Sequence, residues 1–111
     1  MGRHRKSASD PDRFLLCLKA NYYYRRRVPT ELRDVDVRGH TVKLSLKTSD
    51  IALARILRDL FERADDELWG SLMSGDDARS ARHRHKVAIQ RAKAVGFLYN
   101  TALARRTNPP E

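Results

Sequence analysis

The chain has 111 residues, of which 33% are charged and 41% hydrophobic, and its formal net charge is +9. That length suits one small domain with appendages. No apolar run approaches the roughly 20 residues of a membrane-spanning helix. The N-terminal MGRHRKSASDPDR lacks the apolar segment of a secretory signal. We therefore expect no membrane association, and the positive charge favours a polyanionic partner such as nucleic acid.

The first part of the chain predicts a basic arm followed by a β-hairpin. Residues 1–12 are polar and aperiodic, so we expect a flexible arm. The short apolar segment RFLLCLK (13–19) is typical of a strand. Ala20 and Asn21 suit a tight turn, and YYYRRRV (22–28) is rich in aromatic and β-branched residues, as expected of the second strand.

The rest of the chain predicts one more strand and two helices. TVKLSLK (41–47) alternates polar and apolar residues, which is the period of a half-buried strand. An amphipathic helix is predicted from a cap within Thr48, Ser49 and Asp50 to about residue 72, and a second helix from 78 to 95 with its end at Gly96. The fold class is α+β, with a three-stranded antiparallel sheet packed against one helix and followed by a second helix.

These elements divide the chain into four segments. They are an arm (1–12), a sheet-and-helix domain (13–74), a linker helix (75–98) and an irregular tail (99–111). Charge follows a basic, acidic, basic order along the chain, since residues 48–75 carry six Asp or Glu against three Lys or Arg, and both flanking parts carry more Lys and Arg than Asp and Glu.

Alternation along the second and third strands assigns their side chains to two faces of the sheet. The face that packs on the helix contains Tyr22, Tyr24, Val28, Val42, Leu44 and Leu46, with Arg26 at its rim. The opposite side, called the open face below, contains Tyr23, Arg25, Arg27, Thr41, Lys43, Ser45 and Lys47. Such a face can enter the DNA major groove, where Arg contacts guanine and Lys and Ser contact phosphate. Alternatively, it is only a solvated surface that opposes aggregation.

Further candidate contacts lie in the arm. Arg3, Arg5 and Lys6 are candidates for minor-groove or phosphate contacts. The alternative is a disordered tail that adds only nonspecific affinity.

The sequence contains no constellation that indicates catalysis. There is no paired-carboxylate, Ser/His/Asp, Cys/His or phosphate-loop arrangement, and no metal-ligand spacing, so we expect no enzymatic activity, no metal and no cofactor. The single Cys17 excludes an internal disulfide and fits a reducing cytoplasm. Because it lies among leucines, we expect it to be a buried structural thiol.

Two blocks of the sequence resemble the N-terminal domain of phage-type integrases, which are tyrosine recombinases. They are NYYYRRRVPTELR (21–33) and SLKTSD (45–50), with Ala54 and Leu57 on the helix that follows. The resemblance covers about residues 13–72. It implies a three-stranded sheet packed on a C-terminal helix, which binds arm-type DNA sites through Tyr23, Arg25, Arg27, Lys43, Ser45 and Lys47. It also implies a role in DNA recombination and integration at the bacterial nucleoid.

The chain departs from a complete integrase. It stops at Glu111 without the helical core-binding domain and the catalytic domain, so no strand transfer is expected from it. The second helix, with Lys86, Arg91 and Lys93, resembles the linker helix of longer relatives. The chain is therefore either a fragment of an integrase or a short natural protein.

Two other hypotheses remain open at this stage. The acidic residues of the first helix offer a docking face for a basic partner such as a recombinase subunit, which would make the chain a protein-interaction adaptor. They are Asp59, Glu62, Asp65, Asp66 and Glu67. Tyr and Arg on a small sheet can also bind unpaired RNA bases, although the chain lacks a Gly-aromatic motif of the RNP type. The favoured function is binding of double-stranded DNA.

Overall fold

A sheet of three strands followed by two helices forms the fold in the computed structural model, which describes residues 10–107, with side chains as far as Ala102. The elements are β1 (Leu15–Leu18), β2 (Asn21–Arg27), a 3-10 turn (Thr30–Leu32), β3 (Thr41–Ser45), α1 (Ile51–Met73) and α2 (Ala78–Thr107). The strands pair antiparallel in the order β1-β2-β3. This arrangement confirms the predicted α+β class.

The turn between β1 and β2 is not where the sequence predicted it. Leu18 pairs with Asn21, so Asn21 opens β2 and the two loop residues are Lys19 and Ala20. Both have positive φ, 51° and 69°. A two-residue hairpin loop with positive φ at both positions matches the twist of the flanking strands. Here it is formed by residues with a Cβ, at a cost of about 1–2 kcal/mol each.

The core lies between the inner face of the sheet and α1. Tyr24, Val28 and Val42 from the sheet side pack with Leu53 and Phe61 of α1, and all five are buried. The predicted inward face of β2 and β3 is thereby confirmed. α1 begins at its predicted cap, where the Asp50 carboxylate accepts hydrogen bonds from two backbone amides of the first turn.

A buried carboxylate on α1, that of Asp65, connects four parts of the fold. Its Oδ2 accepts a hydrogen bond from the Tyr24 hydroxyl at 2.8 Å. Its Oδ1 lies 2.9 Å from Nη1 of Arg38 and 2.7 Å from Nε2 of His85 on α2. Burial opposes ionisation, yet the contacts with His85, Arg38 and Tyr24 hold the pKa of Asp65 below its ordinary value. Burial, followed by the charge of Asp65, raises the pKa of Tyr24 far above its ordinary value, so the phenol remains a donor.

A second buried carboxylate fixes the connection between β2 and β3. Asp36 accepts two hydrogen bonds from Arg38, at 3.0 and 2.9 Å, and one from the indole N–H of Trp69 on α1 at 2.9 Å. Burial acts against its charge, but these donors lower the pKa of Asp36 to about 2. Together the two carboxylates hold the loop before β3 and the first half of α2 against α1.

The second helix is longer than the sequence predicted. α2 continues past Gly96, where its end was expected, to Thr107, so residues 99–107 are helical and not an irregular tail. A Cβ built on Gly96 would lie 3.2 Å from Cδ1 of Leu57. The glycine therefore permits close approach of α2 to α1 and does not end the helix. Residues 108–111 lie outside the described residues.

The structure describes the end of the predicted arm, where it joins the domain. Residues 1–9 lie outside the described part of the chain. Asp12 pairs with Arg55 of α1 at 2.8 Å, so the end of the predicted arm packs on the domain. None of the described helices combines the length and hydrophobicity needed to cross a bilayer.

Candidate nucleic-acid interface

The pairing of β2 with β3 brings most of the predicted open face together. Tyr23 lies opposite Ser45, Arg25 opposite Lys43, and Arg27 opposite Thr41. Arg25, Arg27, Lys43 and Ser45 are exposed, whereas Tyr23 and Thr41 are half-buried. The predicted residues of these two strands therefore form one surface. In addition, the Nζ of Lys43 lies 5.3 Å from the centroid of the Tyr23 ring, a cation–π contact that holds the ammonium over the face.

Lys47 lies beside this surface and not within the paired strands, because β3 ends at Ser45. It is exposed, its φ is +54°, and its backbone amide donates to Oγ of Ser45 at 3.2 Å. Its side chain contributes to the edge of the face. The arm candidates Arg3, Arg5 and Lys6 lie outside the described residues.

The first strand adds an apolar border that the sequence left unassigned. Leu16 lies opposite Tyr23, and Leu18 opposite Asn21. Alternation therefore places both leucines on the open side of the sheet, where Leu18 keeps 39% of its surface exposed. Cys17 is exposed, so the expectation of a buried thiol was wrong. The reason is that β1, an edge strand, becomes exposed towards its turn end.

The arginines on the inner side of the sheet are neutralised within the fold. Arg13, Arg26, Arg38, Arg55 and Arg58 each form an ion pair with a carboxylate. These pairs hold the five guanidinium groups in place and neutralise their charge.

Arg26, the middle residue of the arginine run, contacts two aromatic rings and a carboxylate. Its guanidinium lies 4.6 Å from the Trp69 ring centroid and 4.8 Å from that of Phe14, and it is 2.6 Å from the Asp66 carboxylate. Burial disfavours its charge, but hydrogen bonds with Tyr24 and Asp66 raise the pKa of Arg26.

The cations of the open face have no such partners. Within residues 10–102, whose side chains are described, no carboxylate forms an ion pair with Arg25, Arg27, Lys43 or Lys47. The register also sets Arg25 directly against Lys43, and like charges opposite one another disfavour folding. The result is a concentrated positive potential on one side of the sheet, which an anionic ligand would relieve.

The chemistry of this face is that of a binding surface. It offers guanidinium and ammonium donors, hydroxyl groups and an aromatic ring. No group of three or more metal-ligating side chains is found in the described part of the chain.

A protein-family model matches residues 14–74, which is more than half of the chain. The chain belongs to the DUF6538 family. That family is described as a domain of unknown function. The matched DUF6538 region contains all three strands and α1, and therefore the entire open face, whereas α2 lies outside it. No curated protein and no solved structure matches the chain.

Proposed function

We propose that the chain is a DNA-binding module of a phage or mobile-element site-specific recombination system. It binds duplex DNA through the open face and has no catalytic activity of its own. The observation that supports binding is a difference in charge pairing. Arg13, Arg26, Arg38, Arg55 and Arg58 pair with carboxylates, whereas among the described residues no carboxylate pairs with the four cations of the open face. The link to recombination is supported by the two sequence blocks around Tyr22–Arg33 and Ser45–Asp50.

The geometry of β2 suits a DNA groove. Arg25 and Arg27 point to the same side and are two residues apart, which is about 7 Å along a strand. That separation is about twice the 3.4 Å rise of duplex DNA, so the two guanidinium groups can reach base pairs two steps apart. Lys43 and Lys47 on the neighbouring strand and its end are placed for phosphate contacts.

Salt dependence provides a quantitative test. If each of the four cations neutralises about one phosphate charge, whether it contacts a base edge or the backbone, the open face contributes about −3.6 to the slope of log affinity against log salt, at about 0.9 per charge. The experiment measures binding to a pool of duplex DNA over a salt series. It compares the wild type with the double variant Arg25→Ala, Arg27→Ala, after circular dichroism has shown that both are folded.

A matched control removes two arginines from another surface. Arg63 and Arg91 are exposed and line a common groove between α1 and α2, so Arg63→Ala with Arg91→Ala changes the net charge equally. We expect the open-face variant to bind more weakly, with a slope shallower by about 1.8. The control should behave as the wild type. Equal binding by wild type and open-face variant would overturn the proposed site.

The recombination part of the proposal has its own test. Sequencing the DNA that the wild type retains should reveal a shared site, because a recombination module must recognise a defined sequence. Retained DNA without any common sequence would indicate binding by charge alone and would contradict the recombination role.

A protein-interaction adaptor is the second candidate, and exposed apolar side chains on α2 favour it. Phe97 and Leu98 keep 71% and 66% of their surface exposed. The acidic face of α1 supports it less well, because Asp59, Glu62 and Asp66 already pair with arginines of the chain. The adaptor hypothesis predicts no binding to duplex DNA even at low salt, so the same titration separates the two functions.

A further inference from the structure

We infer that the DNA-contacting surface is not confined to the sheet but continues past the edge of β3 onto α2, where Lys86 and Lys93 contact phosphates of the same duplex. This inference rests on the proposed function and extends it to a helix outside the matched family region. Four observations support it: the composition of α2, its contacts with the segments that flank β3, a shared groove, and the sides of the helix from which its basic residues project.

All charged residues of α2 are basic. From Ala78 to Thr107 the helix contains no Asp or Glu. Its basic residues are Arg79, Arg82, Arg84, Lys86, Arg91, Lys93, Arg105 and Arg106. A helix that only needed a solvated outer face would be expected to mix both signs of charge, as α1 does.

α2 packs on α1, and its side chains reach the two segments that flank β3. Near its start, Arg82 donates to the carbonyl of Val35 at 3.1 Å, in the connection that precedes β3. Near its end, the side-chain amide of Asn100 lies 3.5 Å from the carbonyl of Lys47, just after β3. The helix therefore contacts the segments before and after the strand that carries Lys43 and Ser45.

A groove joins the two elements. It has a volume of about 300 Å³, and its polar lining residues are Ser45 and Lys47 from the sheet side and Lys93 and Asn100 from α2. Its apolar lining includes Leu46, Leu57 and Phe61. Lys47 departs from the paired strands with positive φ and so reaches the rim that Lys93 shares. A basic residue at the edge of the open face and a basic residue of α2 thus line the same groove.

The basic residues of α2 project from different sides of the helix. Lys86 and Lys93 are seven residues apart, which is close to two turns, so they project to the same side about 10 Å apart. That distance is about three base-pair steps. Arg91 precedes Lys93 by two residues, and positions two apart on a helix project about 160° from each other. Accordingly, Arg91 lines the other groove, together with Arg63 and Glu67.

The opposite placement of Arg91 and Lys93 supplies a matched test. Lys93→Gln and Arg91→Gln each remove one charge from the same part of the same helix, and Gln has nearly the same helix propensity as Lys and Arg. We expect Lys93→Gln to flatten the salt slope for pooled duplex DNA by about 0.9, and Lys86→Gln with Lys93→Gln to flatten it by about 1.8. Arg91→Gln should leave the slope unchanged.

The outcomes separate this inference from the proposed function. If the open-face variant Arg25→Ala, Arg27→Ala is weakened but the double variant of Lys86 and Lys93 binds as the wild type does, the inference is wrong and the proposed function stands. If neither variant binds DNA more weakly than the wild type does, both the inference and the proposed function are wrong. If Arg91→Gln is weakened as much as Lys93→Gln, the effect is one of net charge, and a surface confined to one side of α2 is refuted.

Discussion

Replacement of Arg25 by glutamate should stabilise the fold while weakening DNA binding. Arg25 is exposed and lies directly opposite Lys43 in the β2–β3 register. A cross-strand charge pair changes stability by about 0.2–1 kcal/mol, with a sign set by the two charges. Turning repulsion into attraction should therefore add about 0.5–1 kcal/mol, which raises Tm by about 2–6 °C in a domain of this size. Arg25→Gln removes the repulsion alone and should give about half of that gain.

The assay is thermal unfolding of the three proteins by circular dichroism, at low salt and at 1 M salt. At low salt Tm should be highest for Arg25→Glu, intermediate for Arg25→Gln and lowest for the wild type. At 1 M salt, where the screening length is about 3 Å, the differences should shrink. DNA affinity should follow the reverse order. An Arg25→Glu protein less stable than the wild type at low salt, or three proteins with equal DNA affinity, would refute the reasoning.

The other predictions concern the buried carboxylates and the hairpin turn. Asp65→Asn should cost about 3 kcal/mol, because it removes the charge of a buried carboxylate that contacts Arg38 and His85. Asp66→Asn at its exposed neighbour should cost less than about 1 kcal/mol. Urea unfolding compares them, and equal losses would contradict the buried network. The pKa of Asp36 is lowered from 3.8 to about 2, so its ionised form contributes about 2 kcal/mol to the free energy of unfolding above pH 4. This contribution is lost as the pH falls towards 2. Unfolding measured from pH 6 to pH 2 should show the loss, and Asp36→Asn should make it smaller. Changing Lys19 and Ala20 to Asn and Gly should stabilise by about 1 kcal/mol, because these residues tolerate positive φ, and an unchanged urea midpoint would show that the turn is not strained.

The sheet and its two faces were predictable from local patterns. Strict alternation in residues 41–47 identified β3 and assigned Lys43 and Ser45 to the open side. The cap cluster at residues 48–50 located the start of α1, and within it the cap is Asp50. These features depend on a few neighbouring residues. The hydrophobic face of a strand or helix follows from its own period.

Other features depend on partners that are distant in sequence, and they were not predictable. The hydrogen bonds of Asp65 come from three other segments of the chain, so its burial has no local signal. Gly96 looked like a helix end, yet its role is set by Leu57, which lies on another helix. The loop at Lys19 and Ala20 contains no residue with a preference for positive φ, and Asn21 beside it was the misleading signal.

The buried carboxylate of Asp65 has a consequence for how this family can evolve. Its hydroxyl, guanidinium and imidazole partners come from β2, the loop before β3, and α2. Loss of any one partner leaves a charge or a polar atom buried without compensation, so single changes at these positions should be rejected and joint changes accepted. Homologues that lack the aspartate should therefore have replaced Arg38 as well, and those without α2 should have another donor where His85 stands. The substitutions at Tyr24, Arg38, Asp65 and His85 should be inherited together, whereas those of the open face should vary with the DNA site that each homologue meets.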